Sequence, residues 1–347
     1  MIKQLSIIII LFFNWGYTQN NVATTSAAFL EIGAGARSLA MGGAFVSVAN
    51  DASSLYWNPA GIVNLNSPQL QTYYAPWLVE TDFYYGTSVV PLGALGTLGF
   101  SYTAVTMDEM MVRTVEDPEP NEYGQKFDAG NLALGIAYAK MLTDRFSFGF
   151  QSKFIQEKIW QMQAKGYAID IGTLFITKRD IRIGMSISNF GGKLGMEGIN
   201  TLVDYDIDET IYGNNDRIDG YLDAAKWPLP LLFRFGVSKE FSIMNIHKFL
   251  ISVDAIHPNN NPEYLNLGAE LNLKNLLFIR MGKSHFLYKQ RFVENDQNIL
   301  IDHEQGLSLG AGLKYQIPRG PMLIIDYVLM DFGIFTSVSG YSINVSF

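Results

Sequence analysis

The sequence predicts an all-β fold: a transmembrane barrel of fourteen antiparallel strands whose lumen holds an N-terminal segment of small residues. Three observations support this prediction. The chain begins like an exported protein, no later stretch reaches about 18 consecutive apolar residues, and many stretches of about ten residues alternate between apolar and polar side chains. Because only helices and closed barrels satisfy every backbone group inside a bilayer, a membrane protein with this pattern is expected to be a barrel.

The composition excludes several other classes of protein. Of the 347 residues, 48% are hydrophobic and 17% are charged, which argues against an intrinsically disordered chain. The sequence contains no cysteine, so disulfides, thiolate metal sites and thiol nucleophiles are excluded. The formal net charge of −8 argues against nucleic acid as a partner, because phosphate binding depends on clustered Lys and Arg.

Residues 1–18 are predicted to be a signal peptide. Lys3 precedes a mainly apolar run that ends at Phe13, and Gly16 and Thr18 are small residues at the −3 and −1 positions of a cleavage after Thr18. The run is too short for a membrane-spanning helix, which needs roughly 20 residues. Together with a barrel fold, this segment predicts a location in the outer membrane of a Gram-negative bacterium, with outer-membrane lipid around the protein.

The segment that precedes the first predicted strand differs from the rest of the chain. In residues 28–65 the side chains are small and rich in glycine, and they do not alternate. Helix-compatible stretches lie at residues 36–41 and 52–57, and Asp51 is the expected N-cap of the second. Small residues allow close backbone packing, so we predict that residues 19–66 form a hatch inside the barrel.

Residues 67–347 are predicted to form the barrel itself. An even number of strands places both termini on the same side of the membrane, as in single-chain outer-membrane barrels. A soluble β-sandwich also alternates, but two sandwiches would need a Pro- or Gly-rich boundary that the sequence does not show. The strands are predicted at residues 69–77, 82–90, 94–106, 125–140, 145–158, 166–176, 181–189, 230–239, 248–257, 264–273, 276–283, 306–316, 321–329 and 339–347.

Charged residues within the strands indicate which face points to the lumen. A Lys or Arg on the lipid face near the midplane costs about 2–4 kcal/mol, whereas one in the lumen does not. Nine charges lie away from the strand ends, and every one occupies a polar position. Five cations nearly balance four anions, which favours paired charges in contact with the hatch over a single-sign ion filter. These predicted lumen charges are Lys153, Asp170, Arg182, Arg234, Asp254, Glu270, Arg280, Lys314 and Asp326.

The predicted connections alternate between short and long. Short periplasmic turns and long extracellular loops are typical of outer-membrane barrels, so both termini are expected to be periplasmic. The predicted long connections are residues 107–124, 159–165, 190–229, 258–263, 284–305 and 330–338, and two of them, 107–124 and 190–229, are strongly acidic. The last strand carries Tyr341 and ends at Phe347, which resembles the signal by which outer-membrane assembly machinery recognises its clients.

Motifs for catalysis, cofactors or metals are absent from the sequence. The four histidines, at 247, 257, 285 and 303, lack metal-ligand spacing, and no Gly-x-Ser-x-Gly nucleophile elbow occurs. Gly33-x-Gly35 is followed by Ser38 rather than Gly, so it is not a dinucleotide-binding motif. The run Asp204-x-Asp206-x-Asp208 begins like a calcium loop but has Glu where the turn Gly belongs, which leaves only a loose cation site open. We therefore predict no enzyme activity, cofactor or metal.

Two stretches of the predicted hatch carry a resemblance to a known family. Residues 35–46, Gly-Ala-Arg-Ser-Leu-Ala-Met-Gly-Gly-Ala-Phe-Val, and residues 50–61, Asn-Asp-Ala-Ser-Ser-Leu-Tyr-Trp-Asn-Pro-Ala-Gly, resemble the N-terminal signature of the PorV/PorQ family of Bacteroidetes outer-membrane proteins. The second stretch is also similar to the FadL long-chain fatty-acid transporters. The resemblance implies a FadL-like barrel of fourteen strands and a link to type IX secretion, in which some members bind the translocon or carry cargo to the attachment complex.

The resemblance implies a hatch or gate motif, for which we weigh two interpretations. Residues 58–61 form either a turn that ends a helix and leads into the first strand, which we favour, or a gate for an apolar ligand. Arg37 either pairs with a lumen carboxylate, which we favour, or clamps a ligand carboxylate. The motif residues are Gly35, Arg37, Gly42, Gly43, Asp51, Asn58, Pro59 and Gly61.

Two functions follow as alternatives from these predictions. In the first, the barrel is a docking or shuttle component whose partners are secretion translocon or attachment-complex proteins. In the second, it is a FadL-like uptake channel for a fatty acid or another apolar ligand. Residues 190–229 discriminate between them: an apolar cleft continuous with the hatch favours uptake, whereas a flat exposed patch favours a protein partner.

Overall fold

The computed structural model describes residues 24–206, 210, 218–244, 246–288, 290–294, 297–301 and 305–347. The predicted signal peptide therefore lies outside the described residues. Fourteen long antiparallel strands form one sheet in which each strand pairs with its neighbours in sequence, and a two-residue strand, Glu197–Gly198, adds to it by pairing with Met162 and Gln163. The strands are β1 Gln69–Pro76, β2 Thr81–Pro91, β3 Thr97–Met107, β4 Ala129–Thr143, β5 Phe146–Ile159, β6 Met162–Ile176, β7 Ile181–Gly191, β8 Leu232–Ile243, β9 His247–Pro258, β10 Tyr264–Leu273, β11 Leu277–Phe286, β12 Leu307–Gln316, β13 Met322–Asp331 and β14 Ser337–Ser346.

The first strand pairs with the last, so the sheet closes into a barrel. Gln69 of β1 lies opposite Ser346 of β14, and the pairing continues to Tyr74 and Tyr341. A closed barrel leaves no sheet edge exposed to lipid, which is why it is stable in a bilayer. The predicted fourteen-stranded antiparallel barrel is thus confirmed.

The two faces of the barrel follow the alternation of the sequence. Along β14, Ser342 and Asn344 point inward and are buried, while Tyr341 and Ile343 point outward and are about half exposed. Side chains of adjacent strand residues point to opposite faces, so each strand presents a polar face to the lumen and an apolar face to lipid. The outer face is therefore a continuous hydrophobic wall, as expected of a barrel that lies in a membrane.

One predicted loop is wrong. Residues 159–165 are not a long connection, because β5 and β6 extend beyond the expected limits and pair as far as Ile159 and Met162. Only Trp160 and Gln161 connect them, and Trp160 adopts a left-handed conformation with φ of 51°. The polar residues of this region occur in an extended hairpin rather than in a loop, and polarity alone does not distinguish the two.

Short elements complete the chain. No helix among the described residues is long and apolar enough to cross a membrane. Short two-stranded pairings occur in the extracellular loops, between 110–111 and 126–127, 202–205 and 218–221, and 290–294 and 297–301. The helices are the 3₁₀ turn Ala28–Glu31, α1 Ala36–Ala40, α2 Ser54–Trp57, and the 3₁₀ turns Pro59–Asn64, Gly93–Leu95, Ile199–Thr201 and Gly333–Phe335.

The expected N-cap of α2 is displaced. The helix begins at Ser54 rather than Ala52, and its N-cap residue is Ser53. Asp51 Oδ1 instead accepts hydrogen bonds from the backbone N–H of Ser53, at 2.9 Å, and from its hydroxyl, at 2.5 Å. The carboxylate thus organises the turn before the helix rather than the helix terminus.

Residues 27–65, here called the luminal segment, lie within the barrel. The backbone N–H of Ala36 donates to Ser342 Oγ of β14 at 2.7 Å, and Ser147 Oγ of β5 donates to the carbonyl of Ala60 at 3.2 Å. Since β14 and β5 belong to different sides of the closed barrel, a segment that contacts both through their inward faces must occupy the lumen. Its side chains are small, so its backbone approaches the wall closely.

The longest extracellular loop covers one end of the luminal segment. Leu194 and Leu229 of the loop between β7 and β8 are buried against Phe29 and Leu30. The backbone N–H of Ser26 donates to the carbonyl of Pro228 at 2.9 Å. The described chain therefore begins at the end of the barrel that carries the long loops, while β1 begins at the opposite end.

Candidate functional site

A chain of five charged side chains joins the luminal segment to the barrel wall. Arg37 forms a bidentate pair with Glu270 of β10, with Nε–Oε2 at 2.8 Å and Nη2–Oε1 at 2.9 Å. Its Nη1 also contacts Asp51 Oδ2 at 2.9 Å. Arg280 of β11 then bridges Glu270 and Asp326, with both N–O distances at 2.6 Å. We call Asp51, Arg37, Glu270, Arg280 and Asp326 the luminal ion-pair network.

The network is largely removed from solvent. The side chains of Arg280, Asp326 and Glu270 are 1%, 4% and 7% exposed. Burial of charges is costly, and only good geometry with several hydrogen bonds offsets that cost. Since Arg37 is already held by two carboxylates, its charge is satisfied within the chain, as in the pairing interpretation favoured from the sequence.

A second cluster lies at a bulge between β6 and β7. The pairing shifts between Ile169 and Ile171, and Asn189 on β7 adopts a left-handed conformation with φ of 64°. Asp170 Oδ1 accepts a hydrogen bond from the backbone N–H of Asn189 at 2.7 Å, and Lys153 Nζ lies 2.8 Å from Asp170 Oδ2. The carboxylate thereby stabilises a backbone group that the bulge removes from the ladder.

The remaining predicted lumen charges have other surroundings. Asp254 Oδ2 accepts a hydrogen bond from the backbone N–H of Val46 at 2.8 Å, so this carboxylate holds the luminal segment without a cation in ion-pair contact among the described residues. Arg182 donates to the carbonyl of Val48 at 3.5 Å. Lys314 lies on the inward face of β12 and is partly exposed.

Arg234 packs against aromatic rings of the luminal segment. Its guanidinium lies 5.5 Å from the ring centre of Trp57 and 5.8 Å from that of Tyr56, and its Nη1 donates to Ser188 Oγ at 2.8 Å. Burial raises the pKa of Tyr56 to about 12, so the hydroxyl stays neutral and donates to the carbonyl of Leu30 at 2.7 Å. The sequence did not predict this cation–π contact, because nothing in β8 indicates which part of the luminal segment faces it.

Glu31 links the start of the luminal segment to the extracellular rim. Asn260 Nδ2, in the turn between β9 and β10, donates to Glu31 Oε2 at 3.0 Å. Burial raises the pKa of the Glu31 carboxyl, while the hydrogen bond from Asn260 and the charge of Arg234 lower it. This contact was not predicted, since Glu31 lies outside the family signature.

Glycines of the signature allow the luminal segment to approach the wall. Gly42 has φ of 64°, and a β-carbon there would lie 2.7 Å from the backbone nitrogen of Lys283. On the wall, a β-carbon on Gly282 would lie 2.0 Å from the nitrogen of Gly42, so the two backbones meet at these residues. Gly35 and Gly43 also have positive φ, of 92° and 74°. Gly61 packs so closely on Ala49 that its β-carbon would lie 2.3 Å from the Ala49 carbonyl.

Asn58 is the most connected side chain of the motif 58–61. It is fully buried, and its Nδ2 donates to the carbonyls of Val46, at 2.9 Å, and of Thr173 on β6, at 3.0 Å. Its Oδ1 accepts from the backbone N–H of Ala60 at 3.1 Å, and Pro59 occupies the first position of the following 3₁₀ turn. Asn58 thus fixes the turn, the luminal segment and the wall to one another.

We expect Asn58→Ala to loosen the luminal segment while the barrel remains closed. Loss of the amide leaves two carbonyls without this donor, and each unsatisfied buried group costs about 1–3 kcal/mol. Trypsin cleavage after Arg37, which is 16% exposed, should therefore become faster. Asn200→Ala, at an exposed loop position, is the control and should leave cleavage unchanged. Equal protection of both variants would show that Asn58 does not hold the segment.

The C-terminal aromatic is available to other proteins rather than packed. Phe347 is 67% exposed, and its backbone N–H donates to the carbonyl of Pro68 at 3.0 Å. Tyr341 lies on the lipid-facing side and is 50% exposed. These positions suit the predicted assembly signal.

We expect Phe347→Ala to slow membrane assembly without lowering the stability of the assembled barrel, because the exposed ring has few contacts to lose. Assembly is measured by the heat-modifiable shift of the folded protein on gels over time after synthesis. Ile343→Ala removes a lipid-facing side chain of the same strand that is 47% exposed, and it should assemble at the normal rate. Equal assembly rates for the two variants would contradict the predicted signal.

The sequence did not predict an apolar region on the inner wall. At the extracellular ends of β1, β2, β13 and β14, inward-facing side chains are apolar or aromatic and buried against the luminal segment. The sequence does indicate this region, because apolar and polar residues stop alternating from Tyr73 to Pro76 and again from Tyr327 to Met330. We define the inner apolar patch as Tyr73, Ala75, Phe83, Tyr85, Val328, Met330, Phe332 and Val338.

The acidic loops and histidines form no metal cluster in the described part of the chain, where no group of three or more His, Asp or Glu has ligand geometry. His257 Nδ1 lies 2.8 Å from Glu263 Oε1 at the exposed rim. The calcium-like run is only partly within the described residues, because positions 207–209 lie outside them. The most organised polar arrangement is therefore the luminal ion-pair network.

Solved structures with the same fold include hydrocarbon transporters and channels. The Pseudomonas putida toluene transporter TodX is 12% identical, with a TM-score of 0.54 over 90% of this chain and 97% of that chain. The Ralstonia pickettii toluene transporter TbuX is 11% identical, with a TM-score of 0.51 over 90% of this chain and 97% of that chain. The CymD monoaromatic hydrocarbon channel is 12% identical, with a TM-score of 0.55 over 91% and 98%. At these identities the likeness establishes the fold alone.

The sequence comparison points to a secretion protein. The family model described as type IX secretion system protein PorV matches residues 16–198, which is more than half of the chain. No curated protein matches the chain. The matched range contains both signature stretches and strands β1 to β7 of the barrel.

Proposed function

The chain belongs to the PorV family of type IX secretion system proteins, and we propose that it is an outer-membrane docking or shuttle component of type IX secretion or surface assembly. The match to the family model is the observation that carries this proposal. Under this proposal the chain binds secretion translocon or attachment-complex proteins and acts without enzyme activity or a cofactor. Outer-membrane lipid surrounds the barrel wall.

An exposed surface on the longest extracellular loop supports docking. Tyr221 and Leu222 are 71% and 61% exposed, and Tyr205 and Trp227 are 59% and 48% exposed. Aromatic side chains that remain exposed on a loop are typical of protein interaction sites, where they supply most of the binding energy. A cleft of about 340 Å³ in the same loop is lined by both apolar and charged side chains, including Glu197, Asp223 and Lys226.

The contacts beneath this loop separate it from the lumen. Leu194 and Leu229 are 2% and 3% exposed and pack on Phe29 and Leu30 of the luminal segment. An apolar path from the exposed loop surface into the barrel would have to displace this cluster. In our proposal the luminal segment is a hatch that keeps the pore closed while the loops bind a partner.

The test is affinity purification from the native outer membrane, followed by mass spectrometry of proteins and lipids. Tyr221→Ser combined with Leu222→Asn should lose secretion proteins that co-purify with the unaltered chain. Tyr123→Ser, at an 88% exposed position on the other long loop, is the control and should retain them. Recovery of a bound hydrocarbon or fatty acid with no secretion protein would contradict the proposal.

Uptake of an apolar small molecule is a second candidate function, and the inner apolar patch favours it. The patch packs against apolar residues of the luminal segment, such as Leu39 and Met41, so an apolar ligand would bind there in place of that segment. A fatty acid or other apolar ligand would bury its chain there, since ligand sites are concave and mostly apolar. Lipid analysis in the same purification discriminates between the two functions.

A further inference from the structure

The barrel seam, where β1 meets β14, is incompletely paired. The ladder runs from Gln69 and Ser346 to Tyr74 and Tyr341 and ends there. In contrast, β1 stays paired with β2 as far as Pro76, and β14 stays paired with β13 as far as Ser337. Within the described chain, the outer end of β1 therefore has no partner on β14.

The sequence at the seam explains why the pairing ends. Pro76 has no backbone N–H and cannot donate to a neighbouring strand. The next inward-facing positions, Ala75 and Gly340, carry almost no side chain. The side chain of Tyr73 occupies the space beside Gly340, since a β-carbon on Gly340 would lie 2.5 Å from the Tyr73 hydroxyl oxygen. That hydroxyl is buried and has no hydrogen-bond partner among the described atoms, and the Tyr73 ring lies against the inner side of the seam.

A cleft opens directly above the last paired residues. It has a volume of about 340 Å³ and lies between the turn that joins β1 to β2 and the turn that joins β13 to β14. Exposed apolar side chains stand at its rim, with Val79 82% and Phe335 50% exposed. Three of its nine lining residues carry hydroxyl groups, namely Thr336, Ser337 and Ser339, and the other six are apolar: Pro76, Trp77, Leu78, Val79, Phe335 and Val338.

The cleft is continuous with the lipid-facing wall. Tyr74 and Tyr341 form the last pair of the ladder on the outer face, and each lies beside a further tyrosine, Tyr84 and Tyr327, with ring centres 5.2 Å apart in both cases. Tyr74 Oη donates to Asp82 at 2.8 Å. Tyrosines with a polar contact at one end are typical of the headgroup level of a membrane. The cleft therefore opens at the depth of the outer-leaflet headgroups.

The inner apolar patch lies immediately behind the cleft. Ala75 and Val338 belong to the patch and flank the unpaired part of the seam. Trp77 packs on Phe332 with ring centres 5.2 Å apart and joins the cleft to the same cluster. Apolar surface thus extends from the outer face, through the seam, to the inside of the wall.

We propose that the seam between β1 and β14 binds one acyl chain of an outer-leaflet lipid. The occupant is a lipid rather than a polypeptide because the cleft continues the surface that already contacts lipid and most of its lining residues are apolar. The acyl chain would enter between Pro76 and Val338 and part the packed side chains there to reach Ala75, which is otherwise buried. This site is separate from the extracellular loop proposed for docking, and neither proposal depends on the other.

Photochemical labelling tests the proposal. The full chain is reconstituted in nanodiscs of phosphatidylethanolamine that carry a diazirine near the end of one acyl chain, irradiated, digested and mapped by mass spectrometry. We expect labels on Ala75 and Val338, whose side chains face inward, as well as on lipid-facing residues such as Ile251. Labels on lipid-facing residues alone would mean that the protein has only annular lipid and would overturn the proposal.

Two variants and a matched control complete the experiment. Val338→Trp fills the cleft and should abolish labelling of Ala75 while Ile251 is labelled as before. Pro76→Val restores a backbone N–H, allows the ladder to continue, and should also reduce labelling of Ala75. Val253→Trp makes the same change as the first variant on the lipid-facing wall of β9, where the side chain is 40% exposed, and should leave the Ala75 label unchanged. Folding of each variant is checked by its heat-modifiable shift, and unaltered Ala75 labelling in both folded seam variants would refute the site.

Discussion

Arg280→Met is expected to lower the free energy of unfolding of the barrel by about 3–5 kcal/mol, because it leaves buried carboxylates without their cation. Asp326 has Arg280 as its ion-pair partner at 2.6 Å, and its side chain is 4% exposed. Glu270 keeps Arg37 and is less affected. The measurement is equilibrium unfolding in urea, followed by tryptophan fluorescence in phospholipid vesicles.

A second substitution separates the charge effect from loss of packing. Arg280→Met combined with Asp326→Leu removes both members of the pair, and this double variant should recover most of the lost stability. Lys158→Met breaks an exposed pair with Asp128 at 3.0 Å and should leave the free energy of unfolding nearly unchanged. If the double variant is as unstable as Arg280→Met, the loss comes from packing around the guanidinium and not from the unpaired carboxylate.

Gly282→Leu is expected to displace the luminal segment and increase ion conductance through the barrel several-fold. A β-carbon on Gly282 would lie 2.0 Å from the nitrogen of Gly42 and 2.1 Å from the carbonyl carbon of Met41, so a larger side chain cannot fit while the segment stays in place. If the segment is a hatch, as we propose, its displacement opens a path for ions. Conductance is measured in planar lipid bilayers that contain single barrels.

The control for this prediction is Gly86→Leu on β2, where no heavy atom lies within 4 Å of the position that a β-carbon would occupy. That variant should conduct like the unaltered protein. If folded Gly282→Leu conducts like the unaltered protein and its luminal segment stays protected from protease, the segment has adjusted to the larger side chain without opening the pore. The hatch would then be a structural support of the barrel rather than a closure.

The barrel could be predicted from sequence because its physical cause is local. Lipid outside and polar lumen inside impose a period of two on every strand, and that period can be read within ten residues. The same rule places Asp254, Glu270 and Arg280 on the inner face. It fails where both faces are apolar, as in Tyr73 to Pro76, since alternation then carries no information on direction.

The partners of the inward charges could not be predicted, because their contacts are non-local. Arg37 and Glu270 are 233 positions apart in sequence, and which strand faces Arg37 depends on how the luminal segment turns inside the barrel. The bulge at Asn189 was likewise missed, since one extra residue in a strand does not change its composition. The hairpin at Trp160 shows the opposite error. Its polar residues resembled a loop in the sequence, but in the structure they continue two paired strands.

The path of the luminal segment has a consequence for biogenesis. Ser26, just before the segment, lies beside the long loop, and the segment then passes β14, β10 and β5 and reaches β1 only at the opposite end of the cylinder. Since the segment is held by contacts on several sides of the wall, we expect the first and last strands to join around a luminal segment that is already in place.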